Sequence, residues 1–175
     1  MNTDTSTIDT IHQMIALAKS SANTPVINSV VNSLLVTLPH NYTNRDIARA
    51  IWWWVKSHVT FVTDEEILAS QLGYEKDPHQ ELLIAPETLL AMPTPAGDCD
   101  DFSTLVASLL LCAQIPCSFV TIAVDEVEPN RFSHVYTKCY LADEGQFMIM
   151  DVSHGSIPGW ETQRHIFRRM EWSVG

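Results

Sequence analysis

Apolar residues recur at helical spacing along the first third of the chain. Residues 7 to 38 divide near Asn23, Thr24 and Pro25 into two helices, and the second carries Val26, Ile27, Val30, Val31, Leu34 and Leu35 on one face. Charge is sparse there, so that face is core. Asn44 is placed to cap a third helix in which Ile47, Ala50, Ile51, Trp54, Val55 and His58 follow the helical period, while Trp52 and Trp53 fall off the stripe. This helix gives way to a β-rich stretch, Val59 to Thr63. From Asp64 to Pro95 the pattern weakens around a polar middle, Gly73 to Gln80, and Pro86 can open a short helix. We read that region as a surface excursion approaching a site.

Asp98 caps the next helix, which runs to about Gln114 and buries Phe102, Leu105, Val106, Leu109 and Leu110. Beyond it the pattern changes. Cys117 to Val124, Ser133 to Leu141 and Gln146 to Val152 are rich in β-branched and aromatic residues, with breaks at Glu126 to Asn130 and at Asp143-Glu144-Gly145. Helices first and strands afterwards predict an α+β fold whose central helix packs on an antiparallel sheet. The tail from Gly159 reads as a helix or loop containing Trp and Arg. A length of 175 residues suits one domain, 1–175, with a helical N-terminal part over 1–58.

Charge narrows the partners. Lys and Arg number 10 against 21 Asp and Glu, a net charge of -11, which repels nucleic-acid phosphates and anionic lipid surfaces. No Lys or Arg precedes Lys19, and no apolar run approaches a bilayer-spanning length. The expected compartment is the cytoplasm, or a virion if the chain is phage-encoded. Cys99, Cys112, Cys117 and Cys139 are read as free thiols, and their spacing offers no paired C-x-x-C zinc motif. No cofactor is expected.

Three short segments carry candidate chemistry: GDCDDFSTLVASLLL opening a helix, SHVY opening a strand, and MDVS closing the next. They supply Cys99, His134 and Asp151 in that order. A thiol attacks an acyl carbon as thiolate, and a helix start with a nearby imidazolium favours that form. Histidine takes the proton and returns it to the leaving group; a carboxylate on the other ring nitrogen fixes its tautomer. The aspartates at 98, 100 and 101 act as cap and first-turn acids, and they oppose thiol ionisation. Hairpin register tests the pairing: with Asp143 and Glu144 as turn residues, His134 lies opposite Ser153 and Asp151 sits one diagonal step away on the same face. A longer turn would separate them. His154 is then the competing base. A metal held by His134, Asp151, His154 and Cys99 is chemically conceivable, although the spacings match no established ligand pattern.

The order and local sequences of these segments resemble the transglutaminase-like core of small bacterial and phage cysteine-dependent peptidases and acyl transferases. The resemblance covers roughly Ile47 to Trp160 and includes AIWWWVKSHVTFVTD and PETLLAMPTPAGDCDDFSTLVASLLLCAQIPCSFVTI. It is most specific at GDCDDFS and the Ile-Pro turn that ends the apolar helix. At SHVY a tyrosine stands where the family often has tryptophan. The resemblance implies a papain/transglutaminase-like core over about 47–160, with catalytic Cys99, His134 and Asp151 acting on a protein or peptide amide through a thioester. Gln71, Trp53 and Trp54 are candidates for a second oxyanion donor. A catalytically silent binding or assembly module of the same fold is the alternative.

Overall fold

The computed structural model describes residues 3–63, 66 and 83–175. The expected polar stretch Gly73 to Gln80, and Gln71 with it, lies outside the described residues. Helices α1 (Thr3–Ser21) and α2 (Pro25–Thr37) break where expected, with Pro25 in the first turn, where its missing N–H costs nothing. Helix α3 (Asn44–His58) differs from expectation in its cap. Thr43, not Asn44, is the N-cap: its hydroxyl accepts from the Asp46 N–H, and the Asp46 carboxylate accepts from the Thr43 N–H at 2.9 Å. A capping box needs a hydroxyl three residues before an acid, and Thr43–Asp46 meets that spacing.

The apolar stripe of α3 is also rotated. Ile47, Ala48, Ile51, Trp52 and Val55 are buried, whereas Ala50 and Trp54 are only partly covered. Trp52, expected off the stripe, is fully buried because its indole N–H finds a buried acceptor, the Asp151 carbonyl, at 3.3 Å. After α3, strand β1 (Thr60–Phe61) pairs in parallel with β2 (Ala96–Gly97), and the short α4 (Pro86–Ala91) lies between them in sequence.

Helix α5 (Cys99–Cys112) is the centre of the molecule. Every residue from Asp101 to Leu110 is buried. Helices α1, α2, α3 and α4 cover one side, and strands β3 (Cys117–Ala123) and β4 (His134–Leu141) pack on the other. Such a helix has no solvent face for its polar side chains. Ser108 therefore bonds the Thr104 carbonyl at 2.8 Å and Thr104 the Asp100 carbonyl at 2.7 Å, returning hydroxyls to the preceding turn.

Four antiparallel strands run in the order β5-β4-β3-β6, with β5 at Gln146–Met150 and β6 at Arg168–Ser173. The expected antiparallel sheet is present. Strand β6 replaces the helix or loop expected in the tail: it lies on the sheet edge with alternately exposed residues, so its Arg and Glu content masked the strand pattern. The hairpin register is the one that sets His134 opposite Ser153, since Leu141 faces Gln146 and Thr137 faces Met150. Phe119, Val135, Cys139, Leu141 and Met150 join the core under α5, while Val120, Ile122 and Tyr136 pack on the outer face against Ile166.

Gly97 leads β2 into α5 through a close approach. A Cβ built there would lie 2.5 Å from Asp101 Oδ2. That carboxylate cannot step aside: it is fully buried, accepts from the Ile84 N–H at 2.8 Å and closes a capping box with Asp98. Gly97→Ala should therefore destabilise the fold by about 1–3 kcal/mol, as overpacking does. Urea unfolding measures it, and an unchanged midpoint would show that Asp101 is not fixed in this way.

Candidate active site

Three elements converge where α5, β4 and the end of β5 meet. Asp98 ends β2 as an N-cap, which puts Cys99 in the first turn of α5 with its backbone N–H outside the helix ladder. Ser103, one turn on, ties the helix to the strand. Its hydroxyl reaches the Cys99 carbonyl at 2.7 Å and the Val135 carbonyl at 3.2 Å, and its own carbonyl accepts from Thr137 at 3.0 Å. These buried bonds hold the helix start beside His134, the first residue of β4. Sequence reasoning missed Ser103, although a serine one helical turn after the cysteine is the available signal.

Asp151 follows β5 and is 2% exposed. Its Oδ2 bonds His134 Nε2 at 2.9 Å, while Oδ1 accepts from the Ser153 hydroxyl and the His154 backbone N–H, both at 3.1 Å. Its carbonyl accepts from Trp52 and from the Gly155 N–H. Burial pushes this carboxyl up, but the His134 hydrogen bond and charge, with the His154 amide, hold it below the usual carboxylate range. Asp151 is thus an anion with both carboxylate oxygens hydrogen-bonded. Gly155 is required for the same turn, since a Cβ there would fall 2.2 Å from the Asp151 carbonyl.

His154, the competing base in the sequence, gives Asp151 its backbone N–H and not its ring. The ring packs edge-on against His134 at 4.4 Å and contacts Phe61 at 5.2 Å. Burial lowers its pKa, and the nearby His134 lowers it further, so it is neutral near pH 7. His134, Asp151 and His154 bring donor atoms within 4.8 Å of one another, as do Asp98, Cys99 and Asp100. The two sets do not merge into the four-residue site considered from sequence.

Cys99 and His134 line one cleft, of about 340 Å³. Asp98, Asp100 and Val135 line it too, and residues Ser6, Thr7, Thr10 and Ile11 of α1 form a wall that sequence reasoning did not place near the site. The thiol is not poised as a thiolate. Burial first, then the charges of Asp100 and Asp98, push it well above the ordinary thiol range, and it donates to Asp100 Oδ1 at 3.5 Å; the Val135 N–H acts the other way. A helix start contributes about 0.3–1 kcal/mol to an adjacent anion. Two carboxylates a few ångströms away oppose it with about 1–4 kcal/mol each. The acids win. Nor is Cys99 alone in its exposure: Cys112 is half-buried like it, while Cys117 and Cys139 are buried. Trp53 is exposed and Trp54 stacks on His58, so neither has a bond that identifies it as an oxyanion donor.

One further atom stands out. His134 Nδ1, opposite the nitrogen bound to Asp151, is buried and makes no hydrogen bond. Leaving such an atom unpaired costs about 1–3 kcal/mol.

The family model of the transglutaminase-like superfamily matches residues 30–152, and the chain belongs to that superfamily. A solved structure of a TGase shares the fold at 19% identity and a TM-score of 0.51, covering 83% of this chain and 34% of its own. A proposed cysteine protease from Cytophaga hutchinsonii aligns at 16% identity and a TM-score of 0.48, covering 83% of this chain and 47% of its own. Rad4–Rad23 bound to a 6-4 photoproduct UV lesion aligns over 99% of this chain and 47% of its own, at 10% identity and a TM-score of 0.45. The chain therefore spans less than half the length of these structures. No curated protein sequence matches it.

The raised thiol has a direct spectroscopic consequence. In a titration followed at 240 nm, the thiolate difference between wild type and Cys99→Ala should emerge only above the ordinary cysteine value of about 8.5. A difference already complete below pH 8 would mean that the dipole and imidazole outweigh the acids.

Proposed function

We propose that this chain is a thiol-dependent acyl transferase or hydrolase acting on peptide or glutamine-type amide bonds, with Cys99 as nucleophile, His134 as general base and acid, and Asp151 as its orienting carboxylate. The observation that carries this reading is the division of labour on the His134 ring. Nε2 is committed to a buried Asp151, and Nδ1 is buried and unpaired on a residue that lines the same cleft as Cys99.

In this reading the Cys99 Sγ–H proton passes to His134 Nδ1 as the sulfur adds to the substrate carbonyl. Asp151 stabilises the imidazolium through Nε2–H without taking its proton. Charge developing on the carbonyl oxygen meets the Cys99 backbone N–H at the start of α5. Collapse breaks the C–N bond, the amine leaves with the proton from Nδ1, and a thioester remains on Cys99. Water, deprotonated by the same nitrogen, releases a carboxylic acid; an amine releases a new amide. Because the resting thiol is strongly protonated, proton transfer and attack are coupled, which makes the rate depend heavily on His134.

One observation favours a second reading, a catalytically silent binding or assembly module: Asp98 and Asp100 oppose the thiolate. Acyl trapping separates the two. With activated esters and glutamine-containing peptides, intact-mass spectrometry should find a hydroxylamine-labile acyl adduct on wild type and none on Cys99→Ala. His134→Ala should slow its formation by about 10²–10⁴-fold, and Asp151→Asn by less. Adducts that form equally in the His134 variant would support the silent module.

A further inference from the structure

Two thiols that the proposed chemistry does not use face each other across the sheet. Cys117 opens β3, and the antiparallel register places it directly opposite Cys139 of β4. The backbone of Cys117 is turned away from β4, towards the chain that follows β6: its N–H donates to the Gly175 carbonyl at 2.9 Å, and its carbonyl accepts from the Val174 N–H at 3.0 Å. Beside it the Tyr140 N–H reaches the Pro116 carbonyl at 2.8 Å, which makes Cys117 and Cys139 a non-hydrogen-bonded pair of the ladder. Such pairs bring their Cα atoms to about 4.5 Å, inside the roughly 4.4–6.8 Å that a disulfide spans. Both side chains share the face that packs under α5, where Cys117 is 4% and Cys139 0% exposed. Cys99 and Cys112, by contrast, bound opposite ends of α5 and lie about 20 Å apart at the helical rise, too far to pair with each other.

We propose that Cys117 and Cys139 form a disulfide site, oxidised by small-molecule disulfides of the glutathione type into a covalent staple between β3 and β4. One protein thiolate attacks a sulfur of the oxidant and releases one small thiol; the second protein thiolate then displaces the other, so that one S–S bond forms as one breaks. The two protons of the protein thiols end on the two small thiols released. This inference is independent of the catalytic reading, since neither sulfur takes part in it. The plainer alternative, two cysteines serving as small core residues, accounts for the burial of each. It leaves unexplained why they stand opposite each other at a ladder position where a bridge needs no backbone movement. Burial also sets the kinetics: it is the largest cause pushing both thiols up to about 12. Since the thiolate is the reacting form, exchange is favoured while the sheet is forming and slow once the core has closed. The staple holds the strand whose first residue is His134.

Refolding in a redox buffer tests this on the full chain. The protein is unfolded in denaturant, refolded at low concentration in mixtures of reduced and oxidised glutathione, quenched with acid, alkylated in denaturant with N-ethylmaleimide and mapped by non-reducing peptide mass spectrometry. As the oxidised fraction of the buffer rises, one intramolecular bridge should accumulate, Cys117–Cys139, with Cys99 and Cys112 outside it. The bridged chain should melt about 6–12 °C above the reduced one, the scale for closing a loop of this length in a domain of this size. The rise should disappear on adding a reductant. In Cys139→Ala neither the bridge nor the redox-dependent rise should occur; comparing oxidised with reduced wild type gives the same answer without depending on how well that variant folds. Refolded wild type in which Cys117 and Cys139 remain alkylatable at every buffer ratio, or are joined to other partners, would overturn the inference. So would a bridged chain that melts no higher than the reduced one, because the bond would then strain the ladder it is said to fit.

Discussion

The arrangement of this molecule turns on one buried carboxylate. Asp151 has left water almost entirely, and an isolated ion there would be unstable. It is retained as an anion because its oxygens are matched by donors: the His134 ring from β4 and the Ser153 hydroxyl and His154 amide from its own turn, with the Trp52 indole of α3 on its carbonyl. The rotated stripe of α3, the β4–β5 register and the tight turn at Gly155 are all consequences of bringing those donors to one point. His134 inherits its orientation from this arrangement, and with it the direction of its free nitrogen.

The thiol is governed by a different balance. Four influences act on Cys99: burial and the neighbouring acids favour the protonated form, while the helix start and the Val135 amide favour the thiolate. Magnitudes decide for the protonated form, so the resting state is a neutral thiol. Such a site differs from one that stores a preformed thiolate–imidazolium pair. Ser103, with one hydroxyl serving α5 and β4 at once, keeps the two halves of the site at a fixed separation.

Much of this was legible in the chain because the relevant periods are short. The alternation of β4 and β5, with Asp143 and Glu144 in the turn, determined the face on which His134 and Asp151 meet, and the structure has that register. The Asp98 cap and the apolar run behind it marked the central helix in the same local way. What was not legible depends on tertiary partners. Trp52 fell off the predicted stripe of α3 because its acceptor lies 99 residues away, and β6 looked irregular because an edge strand keeps one row of charged residues in water. The α1 wall of the cleft had no signal at all: Ser6, Thr7 and Thr10 are ordinary helix-surface residues until the fold sets them opposite Cys99.

The account stands on one dependence, that of the Cys99 thiol on the His134 ring, and the alkylation rate of each cysteine near neutral pH measures it directly. Peptide mapping after iodoacetamide should show Cys99 slowed by at least about tenfold in His134→Ala, as expected when a general base is lost. Cys112, half-buried on the same helix, should be unaffected and so report that the fold persists. A Cys99 rate that is the same with and without the His134 imidazole would contradict the account, because the unpaired His134 nitrogen would then have no thiol to serve.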